Sequence, residues 1–356
     1  METPVFRHET KVDESNAGRR LDTFLVKFPY EKFDPDFYPS RATIQKWIRD
    51  GHISVNGSAQ TDKSYRLKNG DIISLEVSIP EDEPRPLPEA LDIQIVYRDP
   101  HIVVIDKPPG ITSHPVKDDL TGSVVNFLLY EEIPLPRSMD PLRPGIVHRL
   151  DKNTSGLMVV ASTREARSEL IQMIQRRDVQ RDYLALVFGN PPMDSGTIEG
   201  AISRHEGDRK KMAVTSDEKG KPARTHYRVL TRYPGFSLVA CKLDTGRTHQ
   251  IRVHMSHIGY PVAGDPLYGG RHAGTRISKI IKGMSRQERE SHEDTLNRLA
   301  EIVTSDNVHL LHAGRLIFPH PVTGEKLTFT SQPHEKFELV MSLLESLPHE
   351  DTEHAF

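Results

Sequence analysis

Between Pro144 and Gly156 the chain reads PGIVHRLDKNTSG, placing His148, Arg149 and Asp151 within four residues, followed at once by Lys152, Asn153, Thr154 and Ser155. The run Leu157-Met158-Val159-Val160-Ala161 comes next and reads as a buried strand, so the polar residues occupy a loop that enters a sheet. Loops anchored in this way commonly display reactive side chains, and Asp151 is the residue to which chemistry would be assigned. On spacing alone the plainer reading is favoured: Arg149 and Asp151 as a surface ion pair beside a turn.

Other residue types that could react are few. His254 and His257 are one helical turn apart, but His249 fits that spacing poorly, and no HExxH or second cluster accompanies them. Helix packing or an RNA contact therefore ranks above a metal site, and none is expected. Cys241 is the single cysteine, which leaves no internal disulfide; its setting, Ser237-Leu238-Val239-Ala240-Cys241, reads as a buried strand. The chain carries no GxxxxGK, GxGxxG or CxxC pattern.

The elements that must position these residues fall into two parts. At 356 residues, 36% of them hydrophobic, the chain can bury a sizeable core in two or three domains. No apolar run approaches the roughly 20 residues of a membrane span, and METPVFRHETKVDES lacks a signal peptide's apolar segment, so a cytoplasmic location is expected. A net charge of -3 argues against coating nucleic acid through bulk positive charge, and leaves RNA binding to local basic faces.

Residues 17–78 read as a small αβ module. Leu21 to Leu25 is apolar-periodic, Ser40 caps a helix through about Arg49, and Gly51 ends it. A strand at His52 to Val55, a tight turn at Asn56-Gly57 and a strand from Ile72 to Val77 follow. The Pro/acidic segment 79–90, with Pro80, Pro84, Pro86 and Pro88, is a linker. Beyond it, short strands at Ile93 to Tyr97 and Ile102 to Ile105 open a mixed α+β domain. Helices are expected at Ser123 to Glu131, Arg164 to Arg176 and Thr248 to Ile258, and strands at 157–162, 183–188, 225–230, 236–243, 314–318 and 326–330. The charged segment 271–308, with Ile280, Ile281, Leu296 and Leu299, reads as an amphipathic helical insertion on the surface; one helix, Glu335 to Leu347, and a fraying acidic tail complete 332–356.

HRLDKNTSG at 148–156 resembles the signature of the RluA-type pseudouridine synthases. Gly246-Arg247-Thr248-His249-Gln250-Ile251-Arg252-Val253-His254 resembles the second signature of that family, and Asp182-Tyr183-Leu184-Ala185 stands where its tyrosine motif does. Asp106-Lys107-Pro108-Pro109-Gly110, His114-Pro115, Gly264-Asp265-Pro266-Leu267-Tyr268-Gly269 and Leu311-His312-Ala313 agree. The resemblance covers about residues 91–331, and residues 17–78 resemble an S4 RNA-binding domain.

The resemblance implies a bent, mainly antiparallel sheet with flanking helices, and an isomerase that needs no cofactor. It makes Asp151 the nucleophile, Arg252 the partner that keeps it ionised, and Tyr183 the ring that stacks on the target base. Arg149 would enter the RNA when the base is extruded, with His148, Arg247, Lys107 and His114 as further pocket or phosphate contacts. Arg41, Lys46 and Arg49 would face RNA from the S4 helix; from the sequence alone, a solvated helix face is the plainer reading. Segment 29–39 is longer than expected between the two S4 helices. PGIVHRLDKN, Ile202 to His205, Met212 to Val214 and Gly220 to Ala223 look most like the D branch of large-subunit ribosomal RNA enzymes. RNA is the implied partner, in large-subunit ribosomal RNA or its precursor particle, with no membrane. Alternatives are a synthase acting on transfer RNA, a non-catalytic RNA-binding or assembly factor, and a metal-dependent RNA hydrolase; intact Asp151, Tyr183 and Arg252 argue against a non-catalytic factor.

Overall fold

The computed structural model describes residues 5–26, 28, 39, 41–78, 85–116, 118–136, 140–216, 220–269, 273–306 and 308–352. Ser40 and nearly all of segment 29–39 lie outside these residues, as does the first half of the expected linker, 79–84.

The N-terminal part comprises β1 (Val5–Lys11), α1 (Leu21–Val26), α2 (Arg41–Arg49), β2 (Ile53–Val55), β3 (Ser58–Ala59) and β4 (Ile72–Ser78). Its sheet has the order β1-β4-β2-β3. Because β1 pairs with β4 along its whole length, the module starts before residue 17, a correction to the expected boundary. Apolar residues at helical spacing explain α2: Ile44, Trp47 and Ile48 are buried against Leu21, Leu25, Ile53, Ile73 and Val77. Asn56 and Gly57 both have positive φ, 52° and 77°, which suits the two-residue turn joining β2 to β3.

The larger part contains β5 (Gln94–Arg98), β6 (Ile102–Lys107), α3 (Val124–Tyr130), β7 (Ser155–Ala161), α4 (Arg164–Arg176), β8 (Gln180–Phe188), β9 (Ser195–Glu199), β10 (Ala201–Arg204), β11 (Met212–Thr215), β12 (Arg224–Tyr233) and β13 (Phe236–Leu243). It continues through α5 (Gln250–His257), α6 (Ala273–Gly283), α7 (Arg286–Thr304), β14 (Leu311–Pro319), β15 (Lys326–Thr330), α8 (Glu335–Glu345) and β16 (Glu350–Asp351). One sheet runs β16-β12-β13-β8-β14-β7-β6-β5, with β15 joined to β14 and β9 to β12. Its pairings are antiparallel except β14 with β7. Strands β10 and β11 form a separate hairpin.

Alternation along the strands sorts the sheet's two faces. Val103, Ile105, Met158, Val160, Ala185 and Val187 pack with α3 and α5, while Ile102, Val104, Leu157, Val159 and Ala161 pack with α4. Farther along that second face, Leu186 and Phe188 meet α6, α7 and α8. The helical insertion is therefore more than a surface hairpin: Ile277, Leu296, Leu299 and Val303 are buried in a core shared with Phe236, Phe337 and Val340. The acidic tail is tied down as far as Asp351, since β16 pairs with Thr231 and Arg232.

Candidate active site

The site lies on the α5 side of the sheet, where the loop before β7, the strand β8 and the helix α5 converge. A cleft of about 710 Å³ is lined by Asp151, Tyr183, Arg252, His249, Arg149 and Arg181, among others. Asp151 enters it from a turn closed by the Thr154 amide, which donates to the Asp151 carbonyl at 3.0 Å. Behind that turn, Gly156 has φ 112° and lies so close to Ala313 that a Cβ would come within 2.4 Å of the Ala313 carbonyl oxygen. Glycine is required there for β7 to meet β14.

Arg252 Nη1 donates to Asp151 Oδ2 at 2.9 Å, while its Nε and Nη2 donate to Asp265 Oδ2 and Oδ1 at 2.7 and 3.0 Å. This fork is buried, Arg252 being 4% and Asp265 0% exposed. Asp265 is held further by the Leu267 and Tyr268 amides, and the Arg252 guanidinium lies 5.1 Å from the centre of the Tyr268 ring. Burial pushes the Asp151 carboxyl up, but the charge of Arg252, its hydrogen bond, and the charge that His249 gains only in acid outweigh it, leaving the group below the usual aspartate range. Asp151 is thus an anion aimed into the cleft.

Tyr183 is buried in the cleft wall, where burial raises its phenol. Its hydroxyl makes no hydrogen bond among the described residues. Arg149 is exposed on the cleft lining and likewise forms no ion pair there. Arg247 is exposed too, its Nε donating to the Pro222 carbonyl at 3.2 Å. His114 is buried in the lining with Nδ1 2.9 Å from the Pro115 carbonyl.

One expectation needs correction. Lys107 contacts no phosphate: it is fully buried, and its ammonium donates to the carbonyls of Pro108, Ile111 and Lys152 at 2.9, 2.9 and 3.1 Å. Burial pushes it down to about 7. It fastens the end of β6 to the Asp151 turn. His148 lines the cleft, with its Nε2 accepting from the Val159 amide at 3.1 Å and burial lowering the ring to about 3. Helix α5 also starts later than Thr248, because His249 adopts φ 58°, outside helical geometry.

His254 packs as a core residue between Thr225 Oγ1 at 2.9 Å and the Gly200 carbonyl at 3.3 Å. Among the described residues no group of three His, Cys, Asp or Glu side chains is arranged to hold a metal ion. Cys241 is buried, which pushes its thiol up to about 12. Residues that sequence reasoning did not assign to the site are Asp265, Tyr268, Arg181 and His309. Asp265 and Tyr268 stand in the quoted Gly264 to Gly269 motif, which was the available signal. His309, whose Nε2 is 2.7 Å from Thr154 Oγ1, carried none.

In the N-terminal part, Lys46 and Arg49 are exposed on α2 and form no ion pair among the described residues. Arg41 differs, since its Nη2 donates to buried Asp22 at 3.1 Å, beside Arg20 and Gln45. It is committed to holding α2 against α1 while half its side chain stays exposed.

A carboxylate–guanidinium pair in a cleft lined by arginines, in a chain that also carries an S4-like module, fits the class of enzymes that act on RNA. Residues 101–257 match the RNA pseudouridylate synthase family model, and residues 36–73 match the S4 domain. An uncharacterized RNA pseudouridine synthase of Bacillus subtilis is 40% identical over 93% of this chain and 96% of its own. A protein of Xanthomonas campestris named ribosomal large subunit pseudouridine synthase D is 39% identical over 94% of this chain and 91% of its own. The solved structure of human RNA pseudouridylate synthase domain containing 4 shares the fold, with a TM-score of 0.51 and 24% identity over 70% of this chain and 92% of that one. The chain belongs to the RNA pseudouridylate synthase family. It is a pseudouridine synthase, an isomerase acting on RNA.

Proposed function

We propose that the chain isomerises uridines of large-subunit ribosomal RNA, free or in a precursor particle in the cytoplasm, with Asp151 as nucleophile. The observation that carries the chemical reading is the 2.9 Å contact between Arg252 Nη1 and Asp151 Oδ2 in the wall of the cleft. The names of relatives such as the Xanthomonas campestris protein support the choice of RNA.

The reaction breaks the N1–C1′ bond of uridine, turns the base, joins C5 to C1′, removes the C5 proton and places a proton on N1. Atoms balance, and no oxidant or reductant enters. Ionised Asp151 adds to C1′ or to C6, and either addition requires the anion that Arg252 maintains. Extruding the base costs a few kcal/mol of unstacking, offset by stacking on Tyr183 and by Arg149 entering the space vacated in the RNA. Arg247 and His114 contact the RNA at the cleft, while Lys46, Arg49 and the exposed side of Arg41 contact its phosphates from α2.

The test is to incubate the protein with large-subunit ribosomal transcripts, a precursor particle and transfer RNA, and to map pseudouridine by carbodiimide labelling and primer extension. New stops confined to ribosomal RNA are expected. Stops confined to transfer RNA would overturn the substrate assignment.

A further inference from the structure

The hydrogen bonds around Tyr268 locate a proton. Tyr268 Oη accepts from the Met212 amide at 2.8 Å and stands 2.9 Å from His249 Nδ1. An amide N–H can only donate, so the hydroxyl hydrogen remains to be placed, and among the described residues Nδ1 is the acceptor within reach. The His249 ring proton is then on Nε2. Burial pushes the Tyr268 phenol up to about 12, so it keeps its hydrogen, and burial also lowers His249, so the imidazole is neutral near neutral pH.

His249 Nε2 lies 3.9 Å from Asp151 Oδ2, beyond hydrogen-bond reach, and has no hydrogen-bond partner among the described residues. The residue lines the cleft, and it does so at φ 58°, a left-handed conformation that costs energy in a residue with a side chain. A helical His249 would place its ring elsewhere. The strained backbone thus holds an N–H donor, already oriented from behind, beside the reacting carboxylate.

We infer that His249 is a further catalytic residue, whose Nε2–H, fixed by Tyr268, donates to a uracil carbonyl oxygen as negative charge builds on the base. The inference rests on the reading of Asp151 as nucleophile and holds for either site of attack. Addition at C1′ sends the N1–C1′ electron pair into the uracil, which spreads it over its carbonyl oxygens; addition at C6 drives the C5–C6 π pair onto O4. Formation of the C5–C1′ bond, expulsion of the Asp151 carboxylate from C1′ or C6, loss of the C5 proton and protonation of N1 then discharge the base, and His249 ends with the proton it began with. Tyr268 is a positioning residue in this scheme. Through the Met212 amide it also makes the seating of the β10–β11 hairpin a condition for a correctly oriented donor.

Side-chain 15N spectra of histidine-labelled protein, together with single-turnover tritium release from 5-tritiated uridine RNA at saturating enzyme, test this. The signal that disappears in His249→Gln should report an Nε2–H tautomer in wild type and a shift toward Nδ1–H in Tyr268→Phe. His249→Ala should slow the chemical step about a hundredfold, the scale of losing one preorganised donor, with RNA affinity unchanged. Tyr268→Phe should slow it about tenfold. His249→Gln, which offers an amide N–H near the Nε2 position, should regain part of the loss, and in that background Tyr268→Phe should add nothing. An Nδ1–H signal in wild type, a full rate in His249→Ala, or equal slowing by Tyr268→Phe in both backgrounds would overturn the proposal. A full rate in Asp151→Asn would count against the nucleophile instead, because the tautomer is read without turnover.

Discussion

Arg252 binds two carboxylates, and they have different work to do. Asp265 takes the fork of the guanidinium and fixes its plane, leaving Nη1 for Asp151. Asp265→Asn removes the buried counter-charge and should destabilise the protein by about 3–5 kcal/mol, as breaking a buried pair does, measured by urea unfolding. Burial raises the Asp265 carboxyl, but the hydrogen bond and charge of Arg252 lower it further, below its ordinary 3.8. A depressed carboxylate contributes stability that is complete above the unfolded value and is lost as pH falls through the folded one. The difference between wild type and Asp265→Asn should therefore stay constant from neutrality into mild acid and shrink only at lower pH. Activity should follow the same logic for Asp151, with its acid limb lying below the usual aspartate range.

Among the elements, β6 and the Asp151 turn are joined by one lysine. Lys107→Met would leave the carbonyls of Pro108 and Ile111 without their donor and that of Lys152 with the Gly110 amide alone, and a loss of about 3 kcal/mol in urea unfolding is expected, with slower turnover because the Asp151 turn is released. On the opposite face, Leu299→Ala in α7 should cost about 2–5 kcal/mol and leave the chemical step intact, since that core lies away from the cleft. Much of this arrangement was legible in the sequence. Arg164 to Arg176 is helical as expected because Thr163 caps it and Ala166, Leu170 and Met173 recur on one face. The strands at 157–162 and 236–243 were legible from their apolar runs. Strands β9, β10 and β11 were not, being short and half exposed, so no apolar alternation marked them. The late start of α5 was hidden for a different reason: Thr248 and His249 carry no breaker signal, and tertiary contacts with Tyr268 accompany the left-handed turn. Lys107 misled because a lysine in a loop motif reads as exposed, whereas here backbone carbonyls satisfy it inside the protein.

Across the whole molecule, the proposed reading has both parts of the chain contact RNA and only the cleft perform chemistry. Lys46 and Arg49 project from α2 in the N-terminal part, whereas Asp151, Arg252 and Tyr183 converge on the catalytic sheet. Replacing Lys46 and Arg49 with Glu should weaken RNA binding and reduce the salt slope of log K by about 1–2, with the single-turnover rate at saturating RNA little changed. The two groups of residues could be picked out from the motifs, while the fork through Asp265 needed coordinates, since Asp151, Arg252 and Asp265 are joined only by the folded chain. The most direct test of the account is the single-turnover rate of tritium release by Asp151→Asn, with RNA affinity measured in parallel. We expect binding close to that of wild type and no release above background. Release at a rate comparable with wild type would contradict Asp151 as nucleophile.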